Sequence, residues 1–256
     1  MSNDQKAIAI LPARLESSRL PGKALKDICG LPMIVHVFKR CLLSKKLDEV
    51  YVATDSSEIK DVVEKYGGKV IMTSSKHETG TDRIAEAAFE LDAEIIVNIQ
   101  GDEALVNPKY IDKVVSELIE NPDINVGILV NSFSKKDSPS DIKVVLNKNN
   151  DIMYLSRSDI PSGSRFNNPP MLKAYHIVPF RKKFLLEYAQ MDRGSLEKIE
   201  FNEYVRILEN GERFRAVYVE SDAVSVDTPE DLQYVREAMP NDLWFSKYKW
   251  WLVNHQ

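Results

Sequence analysis

A loop near the start of the chain combines three cations with a backbone suited to anion binding. It follows the apolar run 7–11, which predicts a buried strand, and it carries Arg14, Arg19 and Lys23. A loop at the end of a buried strand can offer positive charge and free backbone N–H groups to a polyphosphate. The spacing differs from the Walker A pattern, G-x-x-x-x-G-K-[ST], so we expect a phosphate site of another kind.

An acidic residue follows the strand that we predict to be central. The apolar run 94–99 is followed by Gln100, Gly101 and Asp102. Ligands of open α/β sheets lie outside the carboxyl ends of the strands, so Asp102 is expected to face the phosphate loop. A carboxylate there suits Mg²⁺, which proteins hold with one or two carboxylates and substrate phosphates. The structural alternative is an Asp in an ordinary turn after a strand.

Three further charged residues have both a functional and a structural interpretation. Asp227 precedes the helix start Thr228-Pro229, where acidic residues also stabilise the helix. Asp227 could therefore be a metal ligand or an ordinary turn residue. Arg83, in the first turn of a predicted helix, could reach an anion or a base edge, or form a surface salt bridge. Arg157, at a predicted strand end, could bind a carboxylate through two hydrogen bonds.

These residues need a scaffold, and the order of strand-like and helix-like segments predicts an α/β fold with a mostly parallel sheet. The predicted strands cover residues 7–11, 49–53, 69–72, 94–99, 126–133, 142–146, 152–155, 172–180 and 214–219. The predicted helices cover residues 32–43, 58–66, 82–91, 108–120, 182–189, 199–208 and 229–238. Residues 162–170 are rich in Ser, Asn, Gly and Pro and predict a surface loop. No linker divides the chain, so we expect a single domain over residues 1–256.

Two other segments leave the choice between function and packing open. Glu197, Glu200 and Glu203 are spaced at i, i+3 and i+6, which would place them near one side of a helix, facing sugar hydroxyls or solvent. An aromatic tail could pack on the body or form a subunit contact. Its residues are Trp244, Phe245, Tyr248, Trp250 and Trp251.

Composition excludes several classes of protein. Apolar residues make up 43% of the chain and charged residues 29%, which predicts a packed globular protein. The net charge of −5 argues against a nucleic-acid surface, which usually has a basic excess. Cys29 and Cys41 are too few for a disulfide framework, so we expect a reduced, cytoplasmic setting. We expect no membrane insertion, because no apolar run is long enough to span a bilayer and the N-terminus lacks the core of a signal peptide.

Several short motifs occur together in an order that resembles one enzyme family. They are PAR…SRLPGK at 12–23, ATD at 53–55, GTDR at 80–83, NIQGDE at 98–103, SR at 156–157, LEKIE at 196–200 and VDTPEDL at 226–232. Together they resemble 3-deoxy-manno-octulosonate cytidylyltransferase, also called CMP-Kdo synthetase. The resemblance runs from about residue 7 to about residue 238.

The resemblance implies a Rossmann-like nucleotide-diphospho-sugar transferase fold with a sugar-binding and dimerisation subregion at about 126–210. It implies a Mg²⁺-dependent homodimer that converts CTP and a 3-deoxy-2-ulosonic acid to the CMP-sugar and pyrophosphate, for cell-surface polysaccharide or lipopolysaccharide synthesis. By position, the nucleotide-binding residues would be Leu11, Ala13, Arg14, Lys23, Arg83 and Gln100. The acceptor-binding residues would be Gln100, Arg157, His176, Glu203 and Tyr204. Asp102 and Asp227 would hold the metal, and Arg14, Lys23 and Asp102 would be catalytic.

The chain departs from the family pattern mainly on the sugar side. Ala174 stands where the family has a sugar-contacting His, and His176 lies two positions on. Tyr204 replaces a family Gln, and Ala104 replaces a family Pro. Because the nucleotide side is kept and the sugar side is altered, we expect a modified relative of Kdo as acceptor, such as 8-amino-Kdo or a longer acid.

Two alternatives stay open at this point. A cytidylyltransferase for sialic-acid-like nonulosonic acids would keep the fold, although the motif at 196–200 favours Kdo. A non-catalytic nucleotide-binding protein is expected to lack a phosphate cation or a metal acid. Arg14, Lys23, Asp102 and Asp227 are all present, which disfavours it.

Overall fold

The computed structural model describes residues 5–17, 19–166, 168–221 and 224–250, so Ser18 and Trp251 lie outside the described residues. Its strands are β1 (Ala7–Ala13), β2 (Asp27–Ile28), β3 (Leu31–Pro32), β4 (Glu49–Thr54), β5 (Lys69–Met72), β6 (Ile95–Ile99), β7 (Gly127–Phe133), β8 (Lys143–Leu146), β9 (Ile152–Ser156), β10 (Met171–Tyr175), β11 (Ile177–Arg181) and β12 (Arg215–Tyr218). Its α-helices are α1 (Met33–Cys41), α2 (Ser57–Lys65), α3 (Gly80–Ala88), α4 (Pro108–Glu120), α5 (Lys182–Tyr188), α6 (Ser195–Glu200), α7 (Val205–Glu209), α8 (Pro229–Ala238) and α9 (Phe245–Tyr248). Short 3₁₀ turns cover Lys23–Leu25 and Met239–Asn241.

The first sheet has the strand order β11-β6-β1-β4-β5 and is mostly parallel. Only β11 runs antiparallel, against β6. Every residue of β1 is buried, and its alternate side chains enter two apolar clusters on opposite faces of the sheet. Helices α1, α2 and α4 contribute to one cluster, and α3 and α5 contribute to the other. Because both faces are covered, the strands have the near-continuous apolar sequences from which we predicted them.

The second sheet has the strand order β12-β7-β10-β8-β9. β12 is parallel to β7, and the other pairs are antiparallel. An isolated bridge between Val126 and Phe180 connects the approach to β7 with β11 of the first sheet. The α/β fold class with mixed sheets is therefore confirmed. The second sheet lies mainly in the stretch for which we predicted a sugar-binding and dimerisation subregion.

Two predicted elements are divided in the structure. The predicted strand over 172–180 is the pair β10 and β11, because β10 joins the second sheet and β11 joins the first. His176 lies between them. The predicted helix over 199–208 is the pair α6 and α7, because Phe201 has a left-handed backbone (φ 49°) that an α-helix cannot continue through.

The helix starts follow local capping rules. The Thr228 hydroxyl accepts a hydrogen bond from the Asp231 N–H, and the Asp231 carboxylate accepts one from the Thr228 N–H, which confirms the predicted start of α8. The cap of α3 is Thr79. Within the described residues, no helix has both the length and the apolar character that crossing a bilayer requires.

The aromatic tail packs on the body through a buried hydrogen-bond chain. The His36 Nε2 lies 2.7 Å from the Ile28 carbonyl, which can only accept, so this nitrogen carries the hydrogen. The Tyr248 hydroxyl therefore donates to His36 Nδ1 at 2.9 Å and accepts from Arg40 Nε at 3.2 Å. Burial lowers the pKa of His36 to about 4, so the ring stays neutral.

Candidate active site

The candidate site lies where the first sheet reverses its strand order. β1 pairs with β4 as far as Ala13, whereas its ladder with β6 ends earlier, at Ile10. The last residues of β1 therefore face the turn after β6 across a crevice, the ligand position typical of open α/β sheets. Gly101 permits a close approach in that turn, since a Cβ there would lie 3.0 Å from the Pro12 carbonyl oxygen.

The loop after β1 folds back on itself and brings Lys23 to this crevice. Gly22 has a φ of +65°, a left-handed conformation that favours glycine, and its N–H donates to the Leu15 carbonyl at 3.1 Å. The Nζ of the next residue, Lys23, lies 2.5 Å from Asp102 Oδ2 and 3.1 Å from Asp227 Oδ1. The two acids, predicted as metal ligands, thus meet at one ammonium group.

Asp102 and Asp227 come together although they are far apart in the sequence. A backbone hydrogen bond of 3.1 Å, from the Val226 N–H to the Asp102 carbonyl, holds the two segments side by side. Burial lowers the pKa of Lys23, but the two carboxylates raise it by more, so the ammonium stays charged. Arg19 on the same loop is exposed, and its Nη2 lies 3.0 Å from Asp227 Oδ1.

The carboxylate pair is suited to a cation. Both side chains already hold the same positive group, and their oxygen atoms are the ligands that Mg²⁺ prefers. Across the described part of the chain, no three or more His, Cys, Asp or Glu side chains are grouped to hold a metal. A metal at Asp102 and Asp227 would therefore need oxygen atoms from a substrate as further ligands.

Three of the residues predicted for the nucleotide lie on or just after β1. Leu11 and Ala13 have buried side chains, so only their backbone could face a ligand in the crevice. Arg14 follows the strand and is exposed. It has no hydrogen bond or ion pair to another described residue, which leaves its charge free for a ligand.

The structure gives Arg83 and Arg157 contacts that the sequence did not indicate. Arg83 is buried, with Nη1 2.7 Å from Thr73 Oγ1 and 3.3 Å from Asp55 Oδ1, at the carboxyl ends of β5 and β4. Arg83 thus links the ends of these two strands. The Nε, Nη1 and Nη2 of Arg157 each donate to a backbone carbonyl, at 2.6 to 2.9 Å. One N–H on each terminal nitrogen of Arg157 is left for other partners.

A cleft of about 1050 Å³ extends from the acids along residues of both sheets. The predicted site residues that line it are Gln100, Asp102, Arg157, His176, Glu203, Tyr204 and Asp227. The cleft thus joins the acids to the side chains that we predicted for the acceptor.

The acceptor side of the cleft is built around Tyr204. Its hydroxyl accepts a hydrogen bond from Asn98 Nδ2 at 3.0 Å, and the His176 ring stacks on its ring with 6.0 Å between centroids. Gln100 Nε2 donates to Asn98 Oδ1 at 3.3 Å. Glu203 accepts a hydrogen bond from a backbone N–H of α3 at 3.1 Å, and burial raises its pKa.

Comparison with known proteins shows the family of this chain. Residues 8–214 match a family model described as Cytidylyltransferase. A 3-deoxy-manno-octulosonate cytidylyltransferase of Trichlorobacter lovleyi is 42% identical over 246 residues, which cover 91% of this chain and 98% of the relative. This chain belongs to that enzyme family. An 8-amino-3,8-dideoxy-manno-octulosonate cytidylyltransferase of Shewanella frigidimarina is 39% identical over 235 residues, covering 89% of this chain and 96% of the relative.

A solved structure supports membership of the CMP-Kdo synthetase family. It is a CMP:2-keto-3-deoxy-manno-octonic acid synthetase complexed with CTP, and it matches this chain with a TM-score of 0.89 at 38% identity. The match covers 93% of this chain and 100% of that structure. The resemblance inferred from the motifs is confirmed.

In this member of the CMP-Kdo synthetase family, the three carboxylates at 197, 200 and 203 do not share one helix side, and that prediction was wrong. The break at Phe201 turns them toward different partners. Glu197 forms a buried ion pair with Arg206. Glu200 accepts hydrogen bonds from the end of β9, and only Glu203 lines the cleft.

Lys173 and Glu103 are among the charged residues at the cleft that were not singled out from the sequence. Lys173 on β10 lines the cleft, with Nζ 3.0 Å from Asp141 Oδ1. Glu103 is buried beside the cleft, and one of its oxygens accepts from the Ser225 hydroxyl. Burial, together with the charge of Asp102, raises the pKa of Glu103 to about 8. The alternation of side chains along the predicted strand did not distinguish Lys173 from a surface lysine. Glu103 looked like an ordinary residue of the turn after β6.

Proposed function

We propose that this chain transfers a cytidylyl group from CTP to the anomeric hydroxyl of a 3-deoxy-2-ulosonic acid, for cell-surface polysaccharide or lipopolysaccharide synthesis. The observation that carries the proposal is that Asp102 and Asp227 converge on Lys23 at one end of the cleft. The names of the relatives from Trichlorobacter lovleyi and Shewanella frigidimarina support an octulosonate acceptor.

The reaction forms one bond at phosphorus and breaks another. The anomeric oxygen attacks the α-phosphorus, the bond from that phosphorus to the bridging oxygen breaks, and pyrophosphate leaves with the electron pair. The hydroxyl proton passes to water. Negative charge builds on the phosphoryl oxygens and the departing pyrophosphate, and Arg14 and Lys23 stabilise it more in the transition state than in the ground state. Such a transfer needs no covalent nucleophile on the protein.

We also propose that the enzyme depends on Mg²⁺. Asp102 and Asp227 would hold the ion, because their carboxylates already surround one positive charge and the phosphates of CTP would supply further oxygen ligands. When bound, the ion would neutralise charge on the phosphoryl oxygens. With both acids so engaged, the Lys23 ammonium is available to the triphosphate.

The acceptor side of the proposal rests on Gln100, Glu203, Tyr204 and His176, which line the cleft beyond the acids. Glu203 and Gln100 offer an acceptor and a donor to sugar hydroxyls. Because Ala174 and Tyr204 depart from the family pattern, we infer a modified Kdo, such as 8-amino-Kdo, as the preferred acceptor.

A homodimer and a cytoplasmic location complete the proposal. β9 is an edge strand of the second sheet, and Met153, Ile199 and Phe201 expose 62%, 76% and 77% of their surface close to that edge. Large exposed apolar side chains beside an open strand edge are suited to a second copy of the chain. The free thiols of Cys29 and Cys41 support a reducing compartment.

Pyrophosphate release from CTP and Mg²⁺ tests the proposal when it is measured with Kdo, 8-amino-Kdo and nonulosonic acids. We expect turnover with the octulosonic acids and a preference for the modified one. A clear preference for unmodified Kdo would defeat the inference about modification, and a preference for nonulosonic acids would favour the sialic-acid-like alternative. No release with any acceptor would favour a non-catalytic nucleotide-binding protein.

A further inference from the structure

The chemistry of the acceptor favours a cation close to the reacting centre. In a 2-ulosonic acid the carboxylate is bonded to the anomeric carbon, whose hydroxyl attacks the α-phosphorus. The residue that recognises this carboxylate must therefore lie near Asp102 and Asp227. Arg19 and Lys23 contact these acids, and Arg157 and Lys173 line the cleft beside them. Lys135 and Arg193 also line the cleft, but Lys135 is exposed and Arg193 is bound by Glu78 and Glu197.

Of the other four cations, Arg19, Lys23 and Arg157 are already engaged or badly placed. Lys23 is bound by both acids and is needed by the triphosphate. Arg19 is exposed and paired with Asp227 at the outer side of the cluster. Arg157 gives three of its five N–H groups to backbone carbonyls, so it holds the cleft wall together.

Lys173 is also paired with an acid, but that acid, Asp141, has no predicted role at the reacting centre. Lys173 lies on β10, one residue before Ala174, and both residues line the cleft. Its ammonium lies 3.0 Å from Asp141 Oδ1 and 5.2 Å from the centre of the Phe133 ring, which fixes its direction. Its side chain is only 20% exposed, so its charge acts in a partly desolvated site.

Lys173 lines the same cleft as the proposed metal ligands. Asp102, Asp227 and His176 are also part of that lining. An acceptor whose anomeric hydroxyl faces Asp102 and Asp227 would therefore have its carboxylate in the cleft that Lys173 lines.

We propose that Lys173 is the residue that recognises the acceptor carboxylate, and that Asp141 and Phe133 are positioning residues that hold its ammonium in place until the acceptor binds. The inference rests on the proposed function. It restricts the substrates to sugars with an acid group on the anomeric carbon and makes neutral 2-keto sugars poor acceptors. A charge-assisted hydrogen bond in such a site corresponds to roughly a 10- to 100-fold effect on acceptor binding.

Steady-state kinetics with two acceptors and three enzymes test this. The acceptors are Kdo and its carboxamide at C1, and the enzymes are the wild type, Lys173→Met and Lys173→Arg. Methionine keeps the apolar stem of the lysine against Phe133 and removes the charge. Lys135→Met is the matched control, because Lys135 is an exposed lysine on the same cleft wall.

We expect Lys173→Met to raise the KM for Kdo roughly 10- to 100-fold with an unchanged KM for CTP, and Lys173→Arg to recover part of the loss. The wild type should prefer the acid over the carboxamide, and Lys173→Met should lose that preference. An unchanged KM for Kdo would overturn the proposal, as would an equal loss with both acceptors, which indicates a merely structural role. If the wild type uses no ulosonic acid at all, the proposed function itself fails.

Discussion

Glu197→Gln tests how the acceptor side of the cleft is held together. Glu197 and Arg206 are almost fully buried, and Arg206 Nε and Nη2 each donate to a Glu197 carboxylate oxygen at 2.8 Å. The guanidinium also lies 4.5 Å from the centre of the Tyr188 ring, and its Nη1 is 3.3 Å from Asp82 Oδ1. The pair joins α6 to α7 on either side of the turn that carries Glu203.

The expected loss of stability follows from the charge left behind. Glutamine keeps an acceptor oxygen but removes the negative charge, so the guanidinium stays buried with only Asp82 as a charged partner. Removing one partner of a buried ion pair costs about 3–5 kcal/mol, and the Asp82 contact retains part of this. We therefore expect Glu197→Gln to lower the free energy of unfolding by about 2–4 kcal/mol. Urea denaturation at pH 7.5, followed by circular dichroism, measures it.

Two controls sharpen the test. Glu64→Gln removes the exposed pair with Lys60 on α2 and should leave stability unchanged within error. Glu197→Leu combined with Arg206→Met removes both charges and should recover most of the loss. A Glu197→Gln protein as stable as Glu64→Gln would refute the view that this buried pair holds α6 and α7 together.

Three further substitutions test separate parts of the account. Lys23→Ala should raise the KM for CTP roughly 10- to 100-fold, because it removes a charged hydrogen-bond donor to phosphate. The control Lys45→Ala, at an exposed lysine, should leave this KM unchanged. Equal KM values for the two variants would contradict the assignment of the loop to the triphosphate. Gly101→Ala should lower the free energy of unfolding by about 1–3 kcal/mol and lower kcat, because the added Cβ crowds β1. A fully active variant would mean that the close approach of Gly101 to β1 is unimportant for the reaction. The pKa of His36 is lowered to about 4 in the folded protein, against about 6.5 in the unfolded chain. The unfolded chain therefore binds a proton more readily as the pH falls from 6.5 toward 4, and the free energy of unfolding decreases by about 3 kcal/mol over that range. The unfolding free energy of the wild type should therefore fall more than that of His36→Gln between pH 7.5 and 4.5, and parallel pH curves would count against this.

The sequence predicted the first sheet well because its signals are local. Strands buried on both faces give near-continuous apolar runs, and the start of α8 has a complete capping sequence at Thr228 and Asp231. The position of Asp102 at the carboxyl end of β6 followed from the same pattern. The meeting of Asp102 and Asp227 could not be derived locally, since it depends on how the chain returns after β12.

The second sheet and the acceptor side were harder to predict for a physical reason. The run 172–180 looks like one strand because its apolar pattern is continuous, and only pairing with two different sheets divides it at His176. The prediction of one helix over 199–208 was wrong because Phe201 adopts a left-handed conformation, which the sequence usually signals only by a glycine. The engagement of Arg157 by three carbonyls depends on that turn, so its availability could not be judged from the sequence.

The Mg²⁺ dependence of Asp227→Asn tests whether Asp102 and Asp227 hold the metal ion that the reaction needs. Initial rates of pyrophosphate release are measured against Mg²⁺ at saturating CTP and acceptor for the wild type, Asp227→Asn and the control Asp61→Asn, an exposed carboxylate on α2. We expect Asp227→Asn to lose at least ~100-fold in kcat even at saturating Mg²⁺, with the control unchanged. A normal kcat for Asp227→Asn at saturating Mg²⁺, or a wild type that works equally well in EDTA, would contradict it.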